Sequence, residues 1–179
     1  MRILFVAAVD FELDVARKAR PGKDDLFLCT GMGPEATARA LRELPLRSGE
    51  FDLAVDLGVA GSYGGRLPAG SVVQVVSEVS GGMEGSILSN PAPPGLFDFL
   101  PRASGNTVPS LDPQYRCPEA DVESMEGAAF FEACLEAGIP FAEIRSVSNT
   151  VGEADRSRWD IPLALAKLHE ALSLTFRNK

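Results

Sequence analysis

The sequence contains a single histidine, His169, and only three cysteines among its 179 residues. One histidine argues against a multi-histidine metal site and against a His-based catalytic triad. Cys29, Cys117 and Cys134 are widely spaced and form no CxxC pair, so neither a zinc ribbon nor a disulfide framework is expected. Unpaired thiols are typical of a cytoplasmic protein. The candidate site carboxylates, Glu12 and Glu126, have no His or Cys beside them in the sequence, so we expect no metal site.

Clusters of basic side chains and long apolar runs are also missing. The chain has 17 Lys and Arg against 25 Asp and Glu, a formal net charge of −8. Nucleic acids and anionic membranes require clustered Lys and Arg, so neither is an expected partner. No run approaches the roughly 18 apolar residues of a membrane span. The apolar stretch 3–9 passes directly into acidic residues, which favours a buried first strand over a signal peptide.

Apolar runs typical of strands alternate with helical patterns through most of the chain. The predicted strands span about 2–9, 25–30, 51–58, 71–79, 106–108 and 140–148. The predicted helices begin at about Glu12, span 34–44 and 125–137, and follow Asp160 as an N-cap. This alternation predicts one α/β domain over 1–179 with a largely parallel or mixed sheet.

The segment from about 80 to 118 differs from the rest, because it is rich in Gly, Pro, Ser and Asn. It is too long for an ordinary connection, which predicts a binding or lid segment, or an oligomer contact. A mobile loop without a role is the alternative interpretation.

A glycine-rich turn offers one functional hypothesis. Gly31-x-Gly33-x-x-Ala36 matches the dinucleotide-binding fingerprint, and Asp52 is a candidate ribose partner. However, the turn follows the second strand rather than the first, and Pro34 removes one amide from the helix end. A tight strand-to-helix turn without a cofactor explains the motif equally well.

Several polar or small residues follow predicted strands or open helices. Glu12 follows the first strand, the glycine run 58–61 follows the third, and Asn149 follows the strand 140–148. Glu126 opens a helix, with Met125 before it. Each has an ordinary explanation, such as a helix-dipole partner, a turn residue or a core residue. Strand ends bind ligands in α/β sheets, so their joint placement indicates a binding site.

Five segments resemble the purine nucleoside phosphorylase and nucleosidase superfamily, and within it most closely the futalosine hydrolase family. The most specific are VESMEGAAFF at 122–131 and IRSVSN at 144–149; the others are AVDFE at 8–12, LGVAG at 57–61 and RSRWDIP at 156–162. The resemblance implies a single-domain, three-layer α/β/α fold around a central mixed sheet. The middle of the chain is compact, and a helix expected before the 125–137 helix is absent or reduced.

The resemblance also implies roles on the sugar side of the site. Family members cleave the bond between a purine and ribose through an oxocarbenium-like transition state. Glu126 would accept hydrogen bonds from the ribose hydroxyls and stabilise the developing cation, and Met125 would pack on the sugar. Glu12 would orient or deprotonate the attacking water, with Arg145 holding that carboxylate and the water. No cofactor is required.

On the base side, the resemblance implies that Gly58, Val59 and Ala60 line the purine site. Asn149 would face N7 and the 6-substituent of the purine. Adenine-cleaving nucleosidases have Asp at this position, which donates a proton to N7. An amide supplies no such proton but donates hydrogen bonds to N7 and O6 of a 6-oxopurine, which favours hypoxanthine as the released base.

The implied activity is hydrolysis of the N-glycosidic bond of futalosine in menaquinone biosynthesis. Asp56 stands where a typical phosphorylase has a phosphate-binding Arg, so water is the expected nucleophile. Alternatives are another purine nucleosidase or a phosphorylase, of inosine or methylthioadenosine type, or a non-catalytic nucleotide-binding domain. A homodimer or larger homo-oligomer is expected by analogy. Candidates for the pocket of the 5′ group are Phe97, Phe99, Arg102 and Arg116.

Overall fold

A computed structural model describes residues 1–44, 46–80, 86–91 and 94–177. The strands within these residues are β1 (Ile3–Ala7), β2 (Leu26–Cys29), β3 (Leu53–Ser62), β4 (Val72–Ser80), β5 (Ile87–Ser89), β6 (Arg102–Thr107), β7 (Val122–Ser124) and β8 (Phe141–Thr150). The α-helices are α1 (Asp10–Ala19), α2 (Pro34–Glu43), α3 (Gly127–Ala137) and α4 (Ile161–Phe176).

The strands form one mixed sheet, as predicted. β1 lies between β2 and β3 and is parallel to both. β3 continues into a parallel pairing with β8 and an antiparallel pairing with β7. β6 lies parallel to both β7 and β4, while β4 runs antiparallel to β5 and β8. The pairings therefore close β3, β7, β6, β4 and β8 into a ring, which the alternation of elements in the sequence does not reveal.

Two apolar clusters cover opposite faces of the sheet. On one face, Leu57 packs in a cluster with Leu13 of α1 and Leu172 of α4. On the other, Leu41 of α2 and Phe130 of α3 belong to a second cluster with residues of the ring. Helices on both faces of a central mixed sheet confirm the three-layer prediction.

Strand boundaries depart from the predicted ones where strand pairing extends them. β3 runs past Gly58 to Ser62, and β8 continues to Thr150, because their second halves pair with each other. The predicted site residues at 58–60 and 149 therefore lie inside strands rather than after them. β6 begins at Arg102 and ends at Thr107, so the strand predicted at 106–108 is longer and ends earlier.

The segment predicted as loop-rich, 80–118, contains β5 and β6, and β6 lies inside the sheet. Between β6 and β7 the chain forms only a single 3₁₀ turn at Pro113–Tyr115, in agreement with the expected reduction of a helix. Positions 81–85 and 92–93 of the segment lie outside the described residues. The prediction of a lid or an oligomer contact stays a prediction.

The helix ends follow local sequence signals. α1 begins at Asp10, two residues before the predicted start at Glu12. Asp160 is the N-cap of α4, since its Oδ1 accepts a hydrogen bond from the amide of Leu163 at 3.1 Å. Within α3, Ala128 and Phe131 are buried, whereas Leu135 is 41% exposed. A search of the described helices for a stretch able to cross a membrane finds none.

The cap at Asp160 generates a stability prediction. Asp160→Ala removes the acceptor for the Leu163 amide, so the free energy of unfolding should fall by about 1 kcal/mol in urea titrations. Asp24→Ala is the matched control, because Asp24 is exposed and has no hydrogen bond among the described residues. Equal stability of the two variants would contradict the capping role.

Candidate active site

The predicted site residues lie on four neighbouring elements. Glu12 lies in the first turn of α1, and Gly58, Val59 and Ala60 belong to β3. Arg145 and Asn149 belong to β8, which pairs with β3 so that Gly58 is opposite Arg145 and Gly61 is opposite Asn149. Met125 and Glu126 form the turn between β7 and α3. The contacts described below bring Glu12, Glu126 and Arg145 together at this strand pair.

The Glu12 carboxylate is buried at the start of α1. Its Oε1 accepts a hydrogen bond from the Val59 amide at 3.0 Å. Its Oε2 is buried and has no hydrogen-bond partner within the described part of the chain. Burial raises the pKa of Glu12, and nearby Glu126 raises it further, although the Val59 amide and Arg145 act in the opposite direction. One carboxylate oxygen is thus fixed by the backbone and the other is available as an acceptor.

The Arg145 guanidinium, 1% exposed, is held by two buried carboxylates. Its Nε donates to Glu143 Oε1 at 2.7 Å, and its Nη2 donates to Asp56 Oδ2. Its Nη1 lies 3.9 Å from Glu126 Oε2. Nε and Nη2 of the planar guanidinium therefore bind carboxylates, and Nη1 is directed toward the predicted site.

Burial and the neighbouring carboxylates shift the pKa of Arg145 in opposite directions. Burial alone would lower the pKa of Arg145, but Asp56, Glu143 and Glu126 outweigh it and raise that pKa, so the guanidinium stays charged. Burial raises the pKa of Asp56 and of Glu143, and Arg145 opposes both shifts. The site thus combines one permanent cation with carboxyl groups that hold protons more tightly than exposed ones do.

Gly58 leaves the space in which Glu12 and Arg145 meet. A Cβ atom at this position would lie 2.6 Å from Arg145 Nη1 and 2.8 Å from Glu12 Oε1. Both distances are shorter than a carbon atom tolerates. Any residue other than glycine would therefore displace one of the two charged groups.

The Glu126 carboxylate is 6% exposed and receives backbone hydrogen bonds from two directions. Its Oε1 accepts from the Gly33 amide at 3.0 Å, and its Oε2 accepts from the amide of half-buried Met125 at 3.3 Å. The turn around Gly33, which sequence reasoning considered as a dinucleotide-binding motif, directs its amide at a carboxylate of this chain. That contact gives the turn a structural role in positioning Glu126.

The amide of Asn149 has a defined orientation at the end of β8. Its Oδ1 accepts a hydrogen bond from Ser148 Oγ at 2.7 Å, and its Nδ2 donates to the Thr150 carbonyl at 3.0 Å. A Cβ on Gly61 would lie 3.4 Å from Nδ2. One N–H of Nδ2 is thus used locally, and the second remains as a donor.

The four residues suggested for a 5′ pocket have different surroundings, and Phe99 among them is 53% exposed. Phe97 is excluded from such a pocket, because it is fully buried and the centroid of its ring lies 6.2 Å from that of Phe176 in the core. Arg102 is exposed and forms an ion pair with Asp98 at 3.8 Å. Arg116 alone has a contact near the site: a Cβ on Gly152, in the turn after β8, would lie 3.2 Å from its guanidinium.

Sequence reasoning missed three buried carboxyl groups, Asp56, Glu78 and Glu143. All three are fully buried, and Asp56 had been considered only as a replacement for a phosphate-binding Arg. A signal was present, because Glu78 and Glu143 are charged residues next to apolar residues in predicted strands. A charged residue on the buried face of a strand needs a partner, and Arg145 is the buried cation near all three.

Comparisons with known proteins find relatives by sequence. The model of the phosphorylase superfamily matches residues 114–176. Futalosine hydrolase from Thermus thermophilus is 31% identical over an alignment covering 88% of this chain and 84% of that protein. Futalosine hydrolase from Streptomyces coelicolor is 30% identical, with 96% and 94% of the two chains covered.

Solved structures share the fold at lower sequence identity. A methylthioadenosine/S-adenosylhomocysteine nucleosidase from Colwellia psychrerythraea, in complex with adenine, matches with a TM-score of 0.80 and 19% identity, covering 99% of this chain and 95% of that one. A futalosine hydrolase mutant from Helicobacter pylori matches with a TM-score of 0.81 and 13% identity over the full length of both chains. These similarities confirm the nucleoside phosphorylase-like fold.

The close approach at Gly58 generates a prediction that is independent of activity. Gly58→Ala should lower the free energy of unfolding by about 1–3 kcal/mol, because the new methyl group overlaps Arg145 and Glu12. Urea titration measures the loss, and a crystal structure of the variant should show one of the two side chains displaced. Gly95→Ala is the control, since Gly95 is exposed and its added Cβ would contact only the carboxylate end of Asp98. Wild-type stability with both side chains unmoved would contradict the overlap.

Proposed function

Because the chain belongs to the futalosine hydrolase family, we propose that it hydrolyses the N-glycosidic bond of futalosine. The products are hypoxanthine and dehypoxanthine futalosine, and the reaction is a step of menaquinone biosynthesis. The observation that carries the proposal is the meeting of Glu12 and Arg145 in the space beside Gly58, with Glu126 3.9 Å from Arg145. These are the charges that bond cleavage with water requires.

Glu12 activates the attacking water in this proposal. Its Oε1 is fixed by the Val59 amide, and its buried Oε2 is available to accept a hydrogen bond from the water. Burial raises the basicity of the carboxylate, which suits a general base. Arg145 holds the carboxylate and the water through Nη1, the part of its guanidinium directed toward the site.

Glu126 stabilises the sugar as the glycosidic bond breaks. The ribose ring gains positive charge in an oxocarbenium-like transition state, and a fixed carboxylate lowers the energy of that state. The amides of Gly33 and Met125 hold the carboxylate in place before substrate binds. Glu126 also accepts hydrogen bonds from the ribose hydroxyls, and Met125 packs against the sugar.

Asn149 selects the base that leaves, and Gly58, Val59 and Ala60 line the surface on which the purine lies. Ser148 Oγ fixes Oδ1 of the Asn149 amide, so the free N–H of Nδ2 is a donor toward N7 or O6 of a 6-oxopurine. Hypoxanthine needs less protonation than adenine to leave, because it is the better anionic leaving group. A neutral amide is therefore sufficient at this position.

Water is favoured over phosphate as the nucleophile by the charges around Arg145. Phosphorolysis requires arginine donors for a dianion. Nε and Nη2 of Arg145 already bind Glu143 and Asp56, and the carboxylates of Glu12 and Glu126 would repel phosphate. The reaction should therefore proceed without phosphate.

The protein is proposed to be cytoplasmic and to assemble as a homodimer or larger homo-oligomer. Free thiols at all three cysteines are compatible with a reducing compartment. Met32 is 71% exposed and lies next to Gly33, whose amide holds Glu126, so apolar surface borders the proposed site. A second copy of the chain covering this surface would complete the site.

Product analysis tests the proposed function. The wild-type protein, incubated with futalosine, inosine or methylthioadenosine, should release hypoxanthine from futalosine at equal rates with and without phosphate.

Asn149→Asp should shift the preference toward 6-amino purines, because the acid supplies a proton to N7. Glu126→Gln is the inactive control, with turnover reduced by about 10²-fold or more. Phosphate dependence, or an unchanged base preference in Asn149→Asp, would contradict the assigned nucleophile or the role of Asn149.

The buried position of Glu12 predicts the acid limb of the pH profile. The base must be ionised, so kcat/KM should fall as the pH drops through the pKa of Glu12. Burial raises that pKa above its ordinary value of 4.5, so the half-maximal point should lie above 4.5 as well. Circular dichroism at each pH shows whether the protein remains folded. A limb at or below 4.5 in folded protein would contradict the assignment of Glu12 as the base.

A further inference from the structure

Glu78 of β4 is a fully buried carboxyl group that the proposed reaction does not use. It is close enough to Arg145 for the guanidinium to lower its pKa, and its neighbours leave unusual space for it. A Cβ on Gly105 would overlap its carboxyl group, and a Cβ on Gly127 would lie 2.5 Å from its Oε1. Glycine at both positions thus makes room for a polar group in the interior.

Thr107 determines which oxygen of Glu78 is an acceptor. The amide of Ala128 donates to Thr107 Oγ1 at 2.7 Å, which uses a lone pair of the hydroxyl oxygen. The single hydroxyl proton is therefore directed to Glu78 Oε2, at 2.8 Å. Since Oε2 accepts this proton, any proton that Glu78 itself carries is located on Oε1.

Glu143 faces the other oxygen of Glu78. Glu143 Oε1 is occupied by Arg145 Nε, which leaves Oε2. Glu78 Oε1 and Glu143 Oε2 are both buried, and neither has a donor among the residues that the structure describes. They lie 2.5 and 2.7 Å from the same point, the position of a Cβ on Gly127, so the two carboxyl groups face each other with no donor between them among the described residues. Two acceptors in this arrangement require a proton between them.

We propose that Glu78 is a positioning residue of Arg145: it carries a proton on Oε1, donates it in a hydrogen bond to Oε2 of Glu143, and thereby fixes the carboxylate that binds Nε of Arg145. The chain of contacts runs from Ala128 through Thr107, Glu78 and Glu143 to the guanidinium. Its effect is to aim Nη1 at the space shared with Glu12. This role deepens the proposed function, and its kinetic test rests on that function.

The charges around the pair agree with one bound proton. Burial and the Glu143 carboxylate raise the pKa of Glu78 well above its ordinary value, while Thr107 and Arg145 lower it. The hydrogen bond from Glu78 in turn lowers the pKa of Glu143 against the effect of burial. Of the pair, Glu78 is therefore the acid and Glu143 the carboxylate. The other charged groups that contribute to this buried cluster are Asp56 of β3, Glu126 before α3 and Glu12 of α1.

The kinetic test compares two substitutions of similar volume. Glu78→Met removes the donor, so kcat should fall by about 10²-fold through misplacement of Arg145, while KM changes little. Glu78→Gln keeps a donor toward Glu143 in its amide N–H, so it should restore most of that loss. Gln74→Met is the control for replacing a buried polar side chain on the same strand, and it should retain wild-type kcat. Wild-type kcat in folded Glu78→Met, or an equal loss in Glu78→Gln, would overturn the proposal.

The proton itself is tested without reference to activity. The infrared difference spectrum of wild type minus Glu78→Gln at neutral pH should contain the carbonyl band of a protonated, hydrogen-bonded carboxylic acid. A carboxylate band in its place would overturn the proposal, whether or not Glu78→Met folds. If the wild-type protein releases no hypoxanthine from futalosine, the proposed function fails, and this spectrum still decides whether Glu78 carries the proton.

Discussion

The burial of one guanidinium, that of Arg145, is the constraint on which the rest of the site depends. Transferring an isolated ion from water to a protein interior costs on the order of several kcal/mol. Asp56 and Glu143 offset that cost through direct hydrogen bonds, and each is fully buried in turn. Glu12 and Glu126 add two further acids near the same cation. With more acids than cations in the interior, some carboxyl groups must hold a proton.

This constraint links the stability of the ring to the chemistry of the site. A guanidinium has a rigid, planar set of donors, so fixing Nε and Nη2 also fixes the direction of Nη1. The same carboxylates that neutralise Arg145 therefore orient it, and a lysine with a single flexible ammonium group would lack this property. Weakening the carboxylates behind Arg145 is expected to alter the geometry in front of it, beside Gly58.

Local signals in the sequence predicted most helices and strands, but they did not predict which buried residues contact Arg145. Strand alternation, the Asp160 cap and the family motifs located the four α-helices, six of the strands and the residues that meet at the site, but not the short strands β5 and β7. The partners of Arg145 were missed because they depend on strand pairing between distant segments. Glu143 reaches its neighbours only because β8 pairs with both β3 and β4, which places it beside Asp56 on one side and Val75 on the other. No window of the sequence contains that arrangement.

Glycine residues leave the space that the buried charged groups of this protein occupy. Strand glycines are usually unfavourable, because they bury no side chain and lose more backbone entropy on folding. At Gly58 the missing Cβ is replaced by Arg145 and Glu12, and at Gly105 by Glu78. Gly127, at the start of α3, makes room for Glu78 and Glu143 in the same way. The volume that apolar side chains would fill is occupied by charged groups from neighbouring strands. Gly58 is paired with the charged residue Arg145 on the neighbouring strand. Such a pair of a strand glycine and a charged residue therefore indicates a buried polar site, and it can be recognised once the strand register is known.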